Sequence, residues 1–204
     1  NRPVVDVKAG ETVEIRVPMV SAEAVREEAS KFDPHTDKIT EAAKLNAEHK
    51  PREALKVLDE LLQKNPKNLD ALLARAWSWD QLGEYRKGIA DYDRIVALKP
   101  NSTQALVAYN NWAYILATSN DETLRDGKRA VELAGKAMQL AQRPTPDLYD
   151  TLAAAYAEAG EFDKAIETQE EAILLAPDRA DLQESLKLYQ AGKPRRGPSP
   201  APNK

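Results

Sequence analysis

Residues 69–102 read LDALLARAWSWDQLGEYRKGIADYDRIVALKPNS and decide the fold class of this 204-residue chain. Apolar residues recur at helical spacing on both sides of a turn at Gly83, and this glycine suits the left-handed backbone that ends a helix. Pro100 prevents the second helix from continuing. The small residues Ala76, on the first helix, and Gly88, on the second, are expected to face each other. The stretch therefore predicts a pair of antiparallel helices that approach closely.

The same arrangement recurs along the chain at a regular interval. Pro66 and Pro100 are 34 residues apart, and each follows the second helix of a predicted pair. Pro177 lies 77 residues after Pro100, which corresponds to two more periods with nine inserted residues. A period of this size is typical of stacked helical units, each of which buries its apolar face only against its neighbours.

These residues resemble the tetratricopeptide repeat family. The match is clearest in the second unit, with Leu72, Trp79 and LGEY at 82–85, and in the fourth, with Tyr156 and AGEF at 159–162. The predicted units are 35–68, 69–102, 106–144 and 146–179. The resemblance implies an all-α fold, a right-handed superhelical solenoid of helix-turn-helix repeats whose first helices line a concave groove. The extended turn of the third unit resembles a variant found in bacterial arrays.

The flanking segments are expected to differ from the repeats. Residues 1–18 alternate like strands and predict a short N-terminal β-like arm, and residues 19–34 predict a capping helix that starts after Ser21. Residues 180–191 predict a C-terminal capping helix, because repeat arrays need covered ends. Residues 192–204 form a basic, Pro-rich tail with few apolar side chains, and this composition predicts disorder. In the long third turn, Ser119 or Asn120 is expected to cap a short extra helix.

Composition and motifs argue against most catalytic and cofactor chemistry. The chain has no Cys and only two His, a net charge of −4, and no apolar run long enough to span a bilayer. His49 is better explained as an exposed turn residue than as an acid–base group. His35 is better explained by a segment in which Thr36 or Asp37 caps the first helix than as a metal ligand with Asp33 and Asp37. No phosphate-binding loop or nucleophile motif occurs. We therefore expect no enzymatic activity, catalytic residue, metal or other cofactor, and neither nucleic-acid binding nor membrane insertion.

The resemblance identifies the residues that would face the concave groove. Five of them are acidic and none is basic, so a clamp for a peptide's C-terminal carboxylate is not expected. We expect instead a non-catalytic scaffold for protein–protein interaction, whose groove binds a peptide segment with Lys or Arg side chains. The candidate binding residues are Asp70, Leu73, Trp77, Asp80, Gln81, Asn110, Asn111, Tyr114, Asp147, Asp150 and Glu158.

Three alternatives remain open at this level. The acidic residues could simply favour helix N-termini and be solvated. The array could be a structural or self-associating element, in which Arg195 and Arg196 of the tail reach the acidic groove of the same or a neighbouring copy. It could also be the accessory arm of a larger multidomain enzyme whose catalytic domain lies upstream of Asn1. The sequence is compatible with a soluble protein in the cytoplasm or with an exported, processed one.

Overall fold

A computed structural model describes the backbone of residues 34–197 and the side chains of residues 37–197, most of them in one compact unit that begins at Asp37. The described part contains nine α-helices, one short 3-10 helix and no strand. The predicted N-terminal arm and capping helix lie outside it. The α-helices are α1 (Pro34–Ala47), α2 (Pro51–Lys64), α3 (Leu69–Gln81), α4 (Tyr85–Leu98), α5 (Thr103–Thr118), α6 (Gly127–Leu140), α7 (Pro146–Glu158), α8 (Phe162–Leu175) and α9 (Ala180–Gln190).

Side-chain caps mark the start of the first helix in three units. Asn68, Ser102 and Thr145 precede α3, α5 and α7, and each accepts a hydrogen bond from the backbone amide three residues later, at 3.0, 3.0 and 3.4 Å. These bonds satisfy amides that have no partner within the helix. Gly83 and Gly160 follow α3 and α7 with φ of 72° and 82°, a backbone region that glycine adopts without strain.

Helix packing follows the repeat. From α2 to α9 each helix packs on the next, and the row α3, α5, α7 and α9 also makes direct contacts between its neighbours. The first helices carry small side chains, Ala76, Ala113 and Ala153, that are fully buried between helices. Larger buried side chains, among them Leu58 and Tyr92, fill the space between the layers. The result is an all-α solenoid whose first helices form one continuous face.

The long third turn is built differently from the prediction. A 3-10 helix, Glu122–Leu124, interrupts it, but its cap is Asp121, whose carboxylate accepts the amide of Thr123 at 2.9 Å. Ser119, two residues before Asp121, accepts a hydrogen bond from the backbone amide of Asp121 at 3.1 Å. Asp126 then caps α6 by accepting the amide of Arg129 at 2.9 Å. Two successive aspartate caps therefore shape this turn.

The segment after α9 also differs from the expectation of disorder, as far as it is described. Gly192 has a φ of 66°, and the amide of Lys193 donates to the carbonyl of Leu188 at 2.9 Å, which turns the chain back. Residues 194–197 then lie against the face formed by α5 and α7. Ion pairs and hydrogen bonds hold this segment in place. The expectation of disorder was based on the low apolar content of the segment, which does not predict such contacts.

Candidate functional site

The candidate site is the face of the solenoid formed by α3, α5 and α7, called the groove below. It carries Trp77 on α3, Tyr114 on α5 and Asp150 on α7. Trp77 and Tyr114 occupy equivalent positions in successive units, because each follows the buried alanine of its helix. Trp77 is 44% exposed, an unusual value for so large a side chain. The groove thus presents aromatic rings and carboxylates together.

Arg195, from the segment after α9, binds in this groove. Its Nη1 donates to Asp150 Oδ2 at 2.7 Å and lies 3.3 Å from Ser185 Oγ. Its guanidinium group also lies over the Tyr114 ring, 5.7 Å from the centroid. Asp150 is only 6% exposed, and its other oxygen accepts from Gln169 Nε2 at 3.0 Å. A buried carboxylate with both oxygens engaged is more than a solvated helix-end residue.

Arg196 makes a second ion pair beside the first. Its Nη1 lies 2.6 Å from Glu158 Oε2, and Arg125 Nε lies 3.1 Å from Glu158 Oε1 in a further ion pair. Arg125 comes from the long turn of the third unit. This carboxylate is therefore shared between a cation of the solenoid and a cation of the C-terminal segment.

Gly197 is held through its backbone. Its amide donates to the carbonyl of Thr118 at 2.8 Å, and its carbonyl accepts from Asn120 Nδ2 at 2.8 Å. Backbone contacts of this kind recognise a non-helical chain whatever its side chains are. The groove therefore recognises both the main chain and the cationic side chains of residues 195–197.

A cavity of about 480 Å³ continues from Gly197 towards α3. Its walls include Trp77, Tyr85 and Tyr114, and its polar lining includes Asp80. Of the described residues that line this cavity, Asp80 and Asp121 are the charged ones, and both are acidic.

Asp80 is held in an unusual environment. Its Oδ2 accepts from the Tyr92 hydroxyl at 2.5 Å, while Oδ1 is buried and has no hydrogen-bond partner among the described residues. Burial raises the pKa of Asp80 to about 7, although the bond from Tyr92 opposes the shift. Gly88 makes room for this carboxylate, because a Cβ at Gly88 would lie only 2.4 Å from Asp80 Oδ1, much closer than van der Waals contact allows.

The remaining predicted residues have varied surroundings. Gln81 and Asn111 line the cavity, and the amide nitrogen of Gln81 is buried without a partner among the described residues. Asn111 donates to the Tyr92 hydroxyl at 3.3 Å. Asn110 lies 3.4 Å from the Asn111 side chain but lines a separate depression, together with Asp147.

Three further predicted residues, besides Asn110, neither line the cavity nor contact Arg195 or Arg196. Asp147 is exposed and pairs with Arg179, and Asp70 is exposed and accepts from Gln104 at 2.7 Å. Leu73 packs partly against the hydrophobic core. Asp147 and Asp70 therefore fit the alternative that acidic residues near helix N-termini are exposed to solvent, and Leu73 contributes to the core.

Sequence reasoning missed Tyr85, Tyr92 and Arg125 as neighbours of the site. A signal for the Asp80 environment was present, since Gly88 stands where the other units have Ala54, Ala130 or Ala165. The missing methyl group at this position matches the space that the Asp80 carboxylate takes up.

The described residues contain no helix long and apolar enough to cross a membrane, and no group of three or more side chains suited to a metal ion.

Comparison with curated proteins by sequence found no match. A family model described as tetratricopeptide repeat matches residues 45–108, and a second one matches residues 146–179.

Solved structures with a similar fold include MamA from Desulfovibrio magneticus RS-1, residues 41 to the end. It shares 19% identity over 78% of this chain and 85% of its own, with a TM-score of 0.66. PilW, described as a widely conserved type IV pilus biogenesis factor, shares 19% identity over 78% of this chain and 70% of its own, with a TM-score of 0.69. A further MamA structure shares 24% identity over 78% and 81% of the two chains, with a TM-score of 0.61.

The helix pairs, their period and their packing define a helical-repeat solenoid. With the two matching family models, they place this chain in the tetratricopeptide repeat family. Arrays of this family generally act as interaction modules, and the chain is accordingly a protein–protein interaction scaffold.

Proposed function

We propose that the groove binds a non-helical segment of a partner protein that carries adjacent Arg or Lys side chains, and that the chain itself carries out no catalysis. The observation that carries this proposal is the position of Arg195, which lies between the Asp150 carboxylate and the Tyr114 ring. A ring face and a carboxylate together select a guanidinium or ammonium group over an anion.

The contacts of Gly197 support the same proposal. Because Thr118 and Asn120 engage its backbone, a partner segment that follows the same path can form the same two hydrogen bonds. The chain's own residues 195–197 then act as an internal competitor, which a partner has to displace. An Arg195→Ala/Arg196→Ala variant of the full chain removes the competing side chains and is the protein in which to measure partner binding.

The test is a titration of this variant with two amidated peptides, KPRRG and KPEEG, followed by calorimetry. We expect KPRRG to bind and KPEEG to bind at least tenfold more weakly, because each anion would face Asp150 or Glu158. Asp150→Asn should weaken KPRRG binding by about 10- to 150-fold, since a hydrogen bond to a charged group contributes roughly 1.5–3 kcal/mol.

Asp147→Asn is the matched control, since it makes the same chemical change one turn earlier on α7, at an exposed residue paired with Arg179. It should leave KPRRG affinity unchanged. Equal affinity for the two peptides, or equal effects of the two Asp→Asn substitutions, would contradict the proposal.

A further inference from the structure

The cavity beside Gly197 brings together the same kinds of group as the Arg195 site, an aromatic ring and a carboxylate, although both lie on α3 and Asp80 does not occupy the repeat position of Asp150. At the Arg195 site the ring of Tyr114 and the carboxylate of Asp150 hold a guanidinium group between them. At the cavity the ring of Trp77, which is equivalent to Tyr114 in the repeat, lies in the same lining as the carboxylate of Asp80. Among the described residues, no Lys or Arg pairs with Asp80 within salt-bridge distance.

The polar groups of the cavity are also incompletely satisfied. Asp80 Oδ1 and Gln81 Nε2 are both buried without a hydrogen-bond partner among the described residues. Buried groups of this kind cost free energy unless a ligand or water satisfies them. One lacks a donor and the other an acceptor, and both atoms are closed to solvent in this fold. A cationic side chain and a backbone carbonyl of a bound peptide would satisfy them once the two side chains turn towards the cavity.

The path of the C-terminal segment points into this cavity. Arg195 contacts α7 and α9, Gly197 contacts the end of α5, and Gly197 itself lines the cavity. A partner segment bound along the same path would therefore reach Trp77 and Asp80 with the residues that come directly after its glycine.

We infer that the cavity lined by Trp77, Asp80 and Tyr85 is a second cation subsite, which takes a Lys or Arg side chain from the first three residues after the Arg-Arg-Gly of a bound segment. This inference rests on the proposed function and deepens it. It predicts that the partner motif has a third cation, separated from the arginine pair by the glycine and at most two further residues.

The experiment compares peptides on the full-length Arg195→Ala/Arg196→Ala variant. Each peptide begins with KPRRG and continues with three residues, all Ser or with a single Lys, Leu or Glu at the first, second or third of these positions. We expect one Lys position to raise affinity about tenfold over the Ser peptide, with Leu raising it less and Glu lowering it. Calorimetric dissociation constants give the comparison.

Two further substitutions test the assignment to this cavity. Asp80→Asn should remove most of the gain from Lys, and so should Trp77→Ala, which leaves the buried Asp80 and Tyr92 pair in place. Asp70→Asn, an exposed residue on the same helix, is the matched control and should keep the full gain. Circular dichroism confirms that each variant is folded.

The outcomes separate the two proposals. If KPRRG peptides bind in an Asp150-dependent way but Lys, Leu and Ser peptides have equal affinity, the second subsite is wrong and the proposed function stands. If the gain from Lys survives both Asp80→Asn and Trp77→Ala, the cation binds elsewhere and the assignment is again overturned. If no KPRRG peptide binds, the proposed function itself fails.

Discussion

At the scale of single residues, the pairing of Gly88 with Asp80 is the most constrained feature of the groove. A Cβ at Gly88 would lie 2.4 Å from Asp80 Oδ1 and 3.2 Å from the carbonyl oxygen of Ala76. Gly88→Ala should therefore destabilise the fold by about 1–3 kcal/mol, the usual cost of overpacking, although alanine is the better helix former.

A double-mutant cycle measures how much of this cost comes from the carboxylate. In an Asp80→Ala background, Gly88→Ala should cost much less, because the 2.4 Å collision is gone and only the 3.2 Å approach to the Ala76 carbonyl remains. Urea denaturation of the four proteins provides the coupling energy. A coupling energy near zero would show that Asp80 and Gly88 do not share this space.

Asp80 should also make the stability of the protein depend on pH. Its pKa is about 7 in the folded protein, against an ordinary value of 3.8, because burial disfavours the ionised carboxylate. The folded state therefore holds this proton more tightly than the unfolded state. The stability that comes from keeping Asp80 protonated is fully present below pH 4 and is lost as the pH rises through 7.

The neighbours of Asp80 do not titrate in this window. Tyr85 and Tyr92 on α4 have pKa values raised above 10 by burial. Asp80→Asn should remove the dependence, so wild type should lose stability relative to this variant by about 2–4 kcal/mol between pH 4 and pH 8. Denaturant titrations of both proteins at several pH values measure it, and parallel curves would contradict the assigned pKa.

At the scale of elements, α6 shows how the long third turn is fitted to the array. Gly127 begins this helix, and a Cβ there would lie 2.5–2.7 Å from backbone atoms of Glu158 and Ala159 at the end of α7. No side-chain rotation relieves a collision with backbone. The start of α6 therefore lies against the end of α7, next to the carboxylate that binds Arg196.

A matched pair of substitutions within α6 tests this contact. Gly127→Ala should destabilise the protein by about 2 kcal/mol or more, since one of two packed helix ends has to shift. Gly135→Ala lies in the same helix with open space around its Cβ, and it should stabilise by about 0.5–1 kcal/mol through helix propensity. Thermal unfolding of both variants decides the matter, and a destabilising Gly135→Ala or a neutral Gly127→Ala would be inconsistent with the packing described.

Most helices could be predicted from sequence because their causes are local. The glycines at 83 and 160, the prolines after the second helices and the small residues all act within one or two repeats, so the pattern reveals them. The caps Asn68, Ser102 and Thr145 act just as locally, but they were not among the predictions. The aspartate caps of the third turn were harder to predict from sequence. Good capping residues stand at four positions of this turn, and only the backbone path selects among them: Ser119, Asn120, Asp121 and Asp126.

The site was less predictable because it depends on distant pairs. Arg195 and Asp150 are 45 residues apart, and the structure joins them through an ion pair and a ring contact that hydropathy patterns do not register. Sequence reasoning placed Asp80 in the groove as a surface acid. Its burial follows from Tyr92 on the next helix and from the space at Gly88, which only the packed helix pair reveals.

At the scale of the whole molecule, the array is a scaffold whose groove is partly occupied by its own C-terminal segment. Arg195 and Arg196 pair with carboxylates of the fourth unit, and Gly197 bonds to a main-chain carbonyl of the third, so the solenoid and this segment form one continuous surface. A partner segment of the same chemistry has to compete with it. The affinity measured for the intact chain therefore contains the cost of displacement.

The measurement that tests this account most directly is the ratio of two dissociation constants for the KPRRG peptide, one for wild type and one for Arg195→Ala/Arg196→Ala. Lys193→Ala, which removes an exposed cation of the same segment, serves as the control. If the peptide binds where Arg195 lies, wild type should bind it at least tenfold more weakly than the double variant, and the control should behave as wild type. Equal dissociation constants for wild type and the double variant would show that the peptide does not use the Asp150 groove.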